Sequence, residues 1–256
     1  MRALRHSLTC GLALAVVVGC SSTSQPGRST TLGEEVKGSG FLGDLYSQMK
    51  EGGDGEALRL YRNPKYATPA IFTRYKKVWL DPIQIYADPT SKLHAASKDQ
   101  ANLIAQSFHK QVTDHLGKDY QIVDAAGPDT LHISIAIVEA QEANTTEKAA
   151  SYIPIPLGLP GAKAVAMQGI TQTTGQPPFT GEISIEGKMV DSQTGEVIAA
   201  EIDRRVGARK PIIGLFESGT YDSWNDVNEA ERYWAELLRY RLCMRRAAGN
   251  CVTPTE

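Results

Sequence analysis

Apolar residues recur along this 256-residue chain with two spacings, one helical and one extended. Ala101, Ala105, Phe108, Val112 and Leu116 fall on one face at a period near 3.6, which predicts a helix over Ser97 to Leu116. Ser97 with Gln100 three residues on forms a capping box at its start, and Gly117 is its stop. A second helix is predicted from about Ser223 to Arg245, with Val227, Ala230, Trp234, Leu237 and Leu238 as its buried stripe. Asp226, Glu229 and Glu231 in its first turns and Arg239, Arg241, Arg245 and Arg246 in its last complement the helix dipole.

Elsewhere the period is two. Leu131, Ile133, Ile135 and Ile137 alternate with polar or small residues, so Leu131 to Val138 reads as a strand. Ile183, Ile185, Gly187 and Met189 share one face of another, Asp191 to Gly195 supplies a turn, and Val197 to Ile202 returns. Tyr75 to Tyr86 is rich in aromatic and β-branched residues, but Pro82 cannot donate to a ladder and so marks an edge or a bulge. Tyr120 to Val123 is a short strand. The apolar residues of Gly40 to Tyr66, broken by Gly52 to Gly55, read as an approach segment docking on the core. The order is strand, helix, strand, strand, long insertion, strand, strand, helix. That order predicts an α+β domain: a mostly antiparallel mixed sheet of about five strands with two main helices on one face.

The amino terminus has a different pattern. Arg2, Arg5 and His6 precede a nearly unbroken apolar run, Leu8 to Val18, that is shorter than the about 20 residues a membrane helix needs. This is the layout of a secretory signal. Its Val17-Val18-Gly19-Cys20 end resembles the lipobox of bacterial lipoproteins, which implies cleavage before Cys20 and acylation of that residue. The alternative is an ordinary secreted chain with a Cys beside its cleavage site. Three acyl chains on Cys20 exceed the two signals that stable membrane attachment needs. By resemblance to bacterial sorting rules, Ser21 in place of an Asp implies the periplasmic face of the outer membrane. Residues 1–19 are then signal, and 20–40 an acylated, Ser/Thr/Gly/Pro-rich tether with a reach of roughly 25 Å. Residues 41–256 form one periplasmic domain with an insertion at about 141–178.

Removing Arg2 and Arg5 with the signal leaves 25 basic residues against 29 acidic ones, a net charge of −4. Nucleic-acid binding would need a basic stripe, and the Arg239 to Arg246 cluster is accounted for by its helix end. Cys10 leaves with the signal and Cys20 is acylated, so Cys243 and Cys251 remain. An oxidising compartment favours a disulfide between them, closing a short loop through Gly249-Asn250; two independent thiols are the alternative.

Catalytic motifs are not evident. His109 and His115 are six apart on one helix and point to different faces, unlike a zinc pair. No Gly-x-Ser-x-Gly elbow or phosphate loop occurs, and Asp81 beside Pro82 reads as a turn or bulge residue. No catalytic residue, metal or cofactor is expected. The insertion is the unusual piece, being longer than ordinary connections. Within it Tyr152, Ile153, Ile155, Leu157 and Leu159 form an apolar, Pro-interrupted run that is a lid on the core, an exposed patch for a partner, or a disordered stretch.

Ser39 to Asp44, Tyr75 to Pro82, the Asp191 to Gly195 turn and Tyr233-Trp234-Ala235 resemble an uncharacterised family of bacterial lipoproteins, a domain of unknown function. The resemblance covers nearly the whole mature chain and implies a periplasmic lipoprotein without supplying an activity. In element order and in its Asp-x-x-Thr-Gly-Glu hairpin the chain is also similar to periplasmic domains of envelope assembly lipoproteins such as the curli secretion channel. The functional expectation is a membrane-anchored, non-catalytic interaction or assembly module, contacting an envelope protein or a second copy of itself. The alternative is a module that binds a lipid or another small apolar ligand.

Overall fold

The computed structural model describes residues 23–25, 38–87, 91, 93, 98–141, 181–207 and 224–255. Three long strands carry the fold: β7 (Thr130–Gln141), β8 (Glu182–Asp191) and β9 (Val197–Gly207), joined antiparallel. Around them lie β1 (Thr23–Ser24), β2 (Lys50–Glu51), β3 (Arg59–Arg62), β4 (Lys77–Leu80), β5 (Gln84–Ile85) and β6 (Gln121–Val123). The sheet runs β2-β3-β9-β8-β7-β4-β6, with β1 also on β9 and β5 also on β7. The sequence count of about five strands is thus corrected to nine among the described residues. Pro82 splits the Tyr75 to Tyr86 strand into β4 and β5, both parallel to β7, and β6 is parallel to β4. The other addition is β1 to β3, too short to show alternation: β1 and β3 form on the open edge of β9, and β2 pairs with β3.

Two long helices, α2 (Lys98–Leu116) and α3 (Asn225–Arg245), pack against each other and against the sheet, and a single turn, α1 (Pro69–Phe72), closes one end. Phe108, Val112 and Leu116 of α2 and Val227, Ala230, Trp234 and Leu242 of α3 share one core with Leu131, Ile133, Ile135, Ile137, Ile183 and Ile185. Strand alternation places all six sheet residues on the helix side. Asp226 and Glu231, read from sequence as partners of the helix dipole, are instead buried.

Bulges change the facing. An extra residue at Ile198 turns that side chain toward the helices, whereas Ala200 and Ile202 face the opposite side. There they pack with Leu42 and Met49 of the approach segment, beside Phe41, Leu45 and Tyr46. The same face buries Glu186, which accepts from Tyr46 Oη at 2.6 Å and from Ser39 N at 2.8 Å. Asp191 builds the β8–β9 turn by accepting from the backbone N–H of Gln193 and Thr194, both at 3.0 Å, and Gly195 takes the positive φ of 69° that the turn requires.

Besides Ser39, Thr23 to Gln25 in the stretch read as a tether are ordered against the sheet. Thr23 and Ser24 pair with Gly207 and Val206, and Arg205 donates to Thr23 Oγ1 and Thr23 O at 2.9 and 2.8 Å. Gln25 donates to Glu56 O and Asp203 Oδ1 at 2.7 and 2.6 Å. Composition alone does not reveal this, because the partners are backbone and buried polar groups far away in sequence. At the other end of the chain Cys243 and Cys251 are joined by a disulfide with their Cα atoms 5.6 Å apart.

A candidate ligand cavity between sheet and helices

The helices do not fill the space over β7 to β9. A cavity of about 430 Å³ lies between the layers, within the range that holds a small ligand. Ile133, Ile135, Ile185, Met189 and Ile198 form its floor. Phe108 and Val112 from α2 and Trp234, Leu238 and Leu242 from α3 form its roof, and Tyr66, Pro69 and Phe72 complete its apolar lining.

Gly187 is the reason the floor is hollow. It sits in register between Ile135 and Glu201, on the face that Ile185 and Met189 also use. A Cβ placed there would meet Ile135 Cγ1 and Ser134 O at 3.9 Å, ordinary contact distances, so a larger side chain has room to project into the space. The signal was present in the sequence as a gap in an apolar row, but the depth of the gap depends on where the helices stand.

The walls are held firmly. Trp234 Nε1 donates to the buried Asp203 Oδ2 at 2.7 Å, and its ring lies 6.0 Å from that of Phe108. Burial pushes the Asp203 carboxyl above the usual carboxylate range, against the lowering effect of the bonds from Trp234 and Gln25. Arg205 lies 3.6 Å over the Tyr233 ring, fixing the neighbouring turn of α3 on β9. Five charged side chains of the lining, Glu56, Arg62, Glu201, Arg241 and Arg245, are exposed or half-buried and mark where the cavity meets solvent, and Asn63, Lys188 and Tyr240 also border it.

One cluster among the described residues brings a serine, a histidine and a carboxylate together. Asp81 Oδ2 accepts from Ser134 Oγ at 2.6 Å and contacts His132 Nε2 at 2.8 Å, while His132 stacks on Trp79 with centroids 3.7 Å apart. Ser134 bonds to the carboxylate and not to the imidazole, so the hydroxyl–imidazole–carboxylate relay of a Ser-His-Asp triad is not formed by these three residues. Among the described residues no group of three or more His, Cys, Asp or Glu is placed to hold a metal, and no helix is long and apolar enough to cross a membrane. Cys20 and the run Tyr152, Ile153, Ile155, Leu157 and Leu159 lie outside the described residues, as does the capping residue Ser97.

A family model described as "Protein of unknown function (DUF3313)" matches residues 37–238. The chain belongs to this family. The matched DUF3313 region takes in β2 to β9, α2 and most of α3, and hence most of the cavity lining, leaving the Arg239 to Arg245 end of α3 beyond it. No curated protein matches the chain. Solved structures similar to it include a dodecamer of a PelC point variant from Paraburkholderia phytofirmans, at 12% identity over 75% of this chain and 97% of that one, with a TM-score of 0.34. A DUF4136 family protein from Bacteroides thetaiotaomicron is 13% identical over 73% of this chain and 96% of that one, with a TM-score of 0.31.

Proposed function

We propose that this DUF3313 member is a non-catalytic envelope module, anchored by acylated Cys20 at the periplasmic face of the outer membrane, that holds an apolar ligand between its sheet and helices. The observation carrying this reading is the apolar cavity over Gly187 with charged side chains on its rim. A packed domain ordinarily tolerates few voids larger than a water molecule. Here about 430 Å³ stays open although one larger side chain at position 187 would fill part of it. The apolar part of the ligand takes its place among Ile185, Trp234 and Leu238. The interaction-module reading stands on Tyr152 to Leu159 instead, and deletion of residues 153–169 with loss of partner crosslinks would favour it.

An uncharged naphthylamine dye that brightens in apolar surroundings tests the ligand reading. Acylated wild-type protein in amphipol should saturate at one dye per chain, and Gly187→Leu should bind none while unfolding cooperatively. Equal dye binding by both proteins would mean that the cavity is not the site.

A further inference from the structure

The charges at the opening of the cavity do not cancel. Three guanidinium groups, those of Arg62, Arg241 and Arg245, face two carboxylates, Glu56 and Glu201. Arg62 pairs with Glu56 and Arg241 with Glu201, each at 2.6 Å. Arg245 is left over. Among the described residues no carboxylate comes within ion-pair distance of it, and its guanidinium carbon lies 5.5 Å over the Phe72 ring. Lys188 also borders the cavity, but its ammonium lies 5.2 Å over the Phe41 ring, which packs on the far side of the sheet.

Arg245 is thus a half-buried cation beside two like charges and against an aromatic wall. Burial, and then Arg62 and Arg241, push its pKa down from the usual guanidinium value, while Glu56 opposes them. An anion entering the opening would relieve the repulsion, and a planar guanidinium offers a carboxylate two parallel hydrogen bonds.

We infer that the cavity takes a single-chain amphiphile with a monoanionic headgroup, of the fatty-acid type, its carboxylate on Arg245 and its chain running over Gly187 toward Ile185 and Trp234. The inference rests on the ligand-cavity reading and adds the class of ligand. One negative charge balances the net single positive charge of the five groups. A neutral chain would leave Arg245 unpaired, and a cationic headgroup would meet three guanidinium groups.

The test uses the acylated full-length protein in phosphatidylcholine vesicles. Its probes are a long-chain fatty acid carrying a photoreactive diazirine near its tail and the matched alcohol. Crosslinks to the peptide holding Trp234 and Leu238 are counted by mass spectrometry. The carboxylate should label this peptide about tenfold or more above the alcohol, the ratio expected of one charge-assisted pair. Arg245→Gln should bring the carboxylate down to the alcohol level and leave alcohol labelling unchanged. Arg245→Lys, which keeps the charge without the fork, should fall between and serves if the Gln variant does not fold. Equal wild-type labelling by the two probes would overturn the headgroup assignment and leave the ligand reading standing. Labelling of the peptide by neither would overturn both, and stronger labelling by an alkyl phosphate than by the carboxylate would overturn the monoanionic assignment.

Discussion

Glu231→Gln should remove a large part of the pH dependence of stability. Glu231 is fully buried between α3 and α2, where its Oε2 accepts from Ser107 Oγ at 2.8 Å and Gln111 Nε2 at 2.9 Å. Its Oε1 has no hydrogen-bond partner. Burial pushes the carboxyl pKa up from 4.5 to about 8, more than the two donors lower it. The folded state therefore keeps a proton that the unfolded state releases above pH 4.5, so stability is greatest below that pH and falls until pH 8. At about 1.4 kcal/mol per pH unit, the whole fall approaches 5 kcal/mol, of which about 3 kcal/mol is lost by pH 7. Gln keeps an acceptor for Ser107 and Gln111 and cannot ionise. Asp203, also raised by burial, contributes in the same sense in both proteins and cancels in the difference. Urea unfolding at pH 5 and pH 8 should show Glu231→Gln gaining about 3 to 4 kcal/mol on wild type between the two. Parallel pH profiles would mean that Glu231 is ionised in the fold and that its burial is compensated some other way.

Gly187→Leu should raise the unfolding free energy by about 1 to 3 kcal/mol, since it buries an aliphatic side chain in open space and removes a flexible residue from a strand; a thermal melt that drops instead would show that the space is already occupied. Reducing the Cys243–Cys251 bond, whose partners are 8 apart in sequence, should cost about 2.5 kcal/mol by loop-closure entropy, read as a lower urea midpoint with dithiothreitol. Tyr75→Phe removes the 2.7 Å bond that Tyr75 Oη donates to the buried Asp191 and should cost about 1 to 3 kcal/mol, checked by the same unfolding assay. Cys20→Ser should abolish incorporation of labelled palmitate and leave the signal uncleaved, seen as a heavier unlabelled band on a gel.

The regular parts of the fold were legible because their information is local. The 3.6-residue spacing of Ala105, Phe108, Val112 and Leu116 and the alternation of Ile133, Ile135 and Ile137 each state which face is buried. Pro82 and the Asp191 to Gly195 turn were legible for the same reason: a missing N–H and an Asx turn are properties of a few residues. Strands β1, β2 and β3 were not, since β1 and β3 exist only because the edge of β9 offers unpaired backbone groups from distant sequence, and β2 pairs in turn with β3. Nor was the burial of Glu231, whose environment is supplied by Ser107 and Gln111 on the other helix. The cavity lay between these cases. Gly187 interrupts an apolar row in plain view, but only the standoff between β8 and the two helices turns a missing side chain into a site.

The most direct test of the central claim is a mass spectrum of what the protein carries. Acylated protein, purified gently from its own envelope, would be washed free of bulk lipid and extracted with organic solvent, beside Gly187→Leu treated alike. The account predicts about one non-covalent, long-chain, monoanionic amphiphile per wild-type chain and none per variant chain. Extracts that are empty for both proteins, or that carry the same lipid in the same amount, would contradict it.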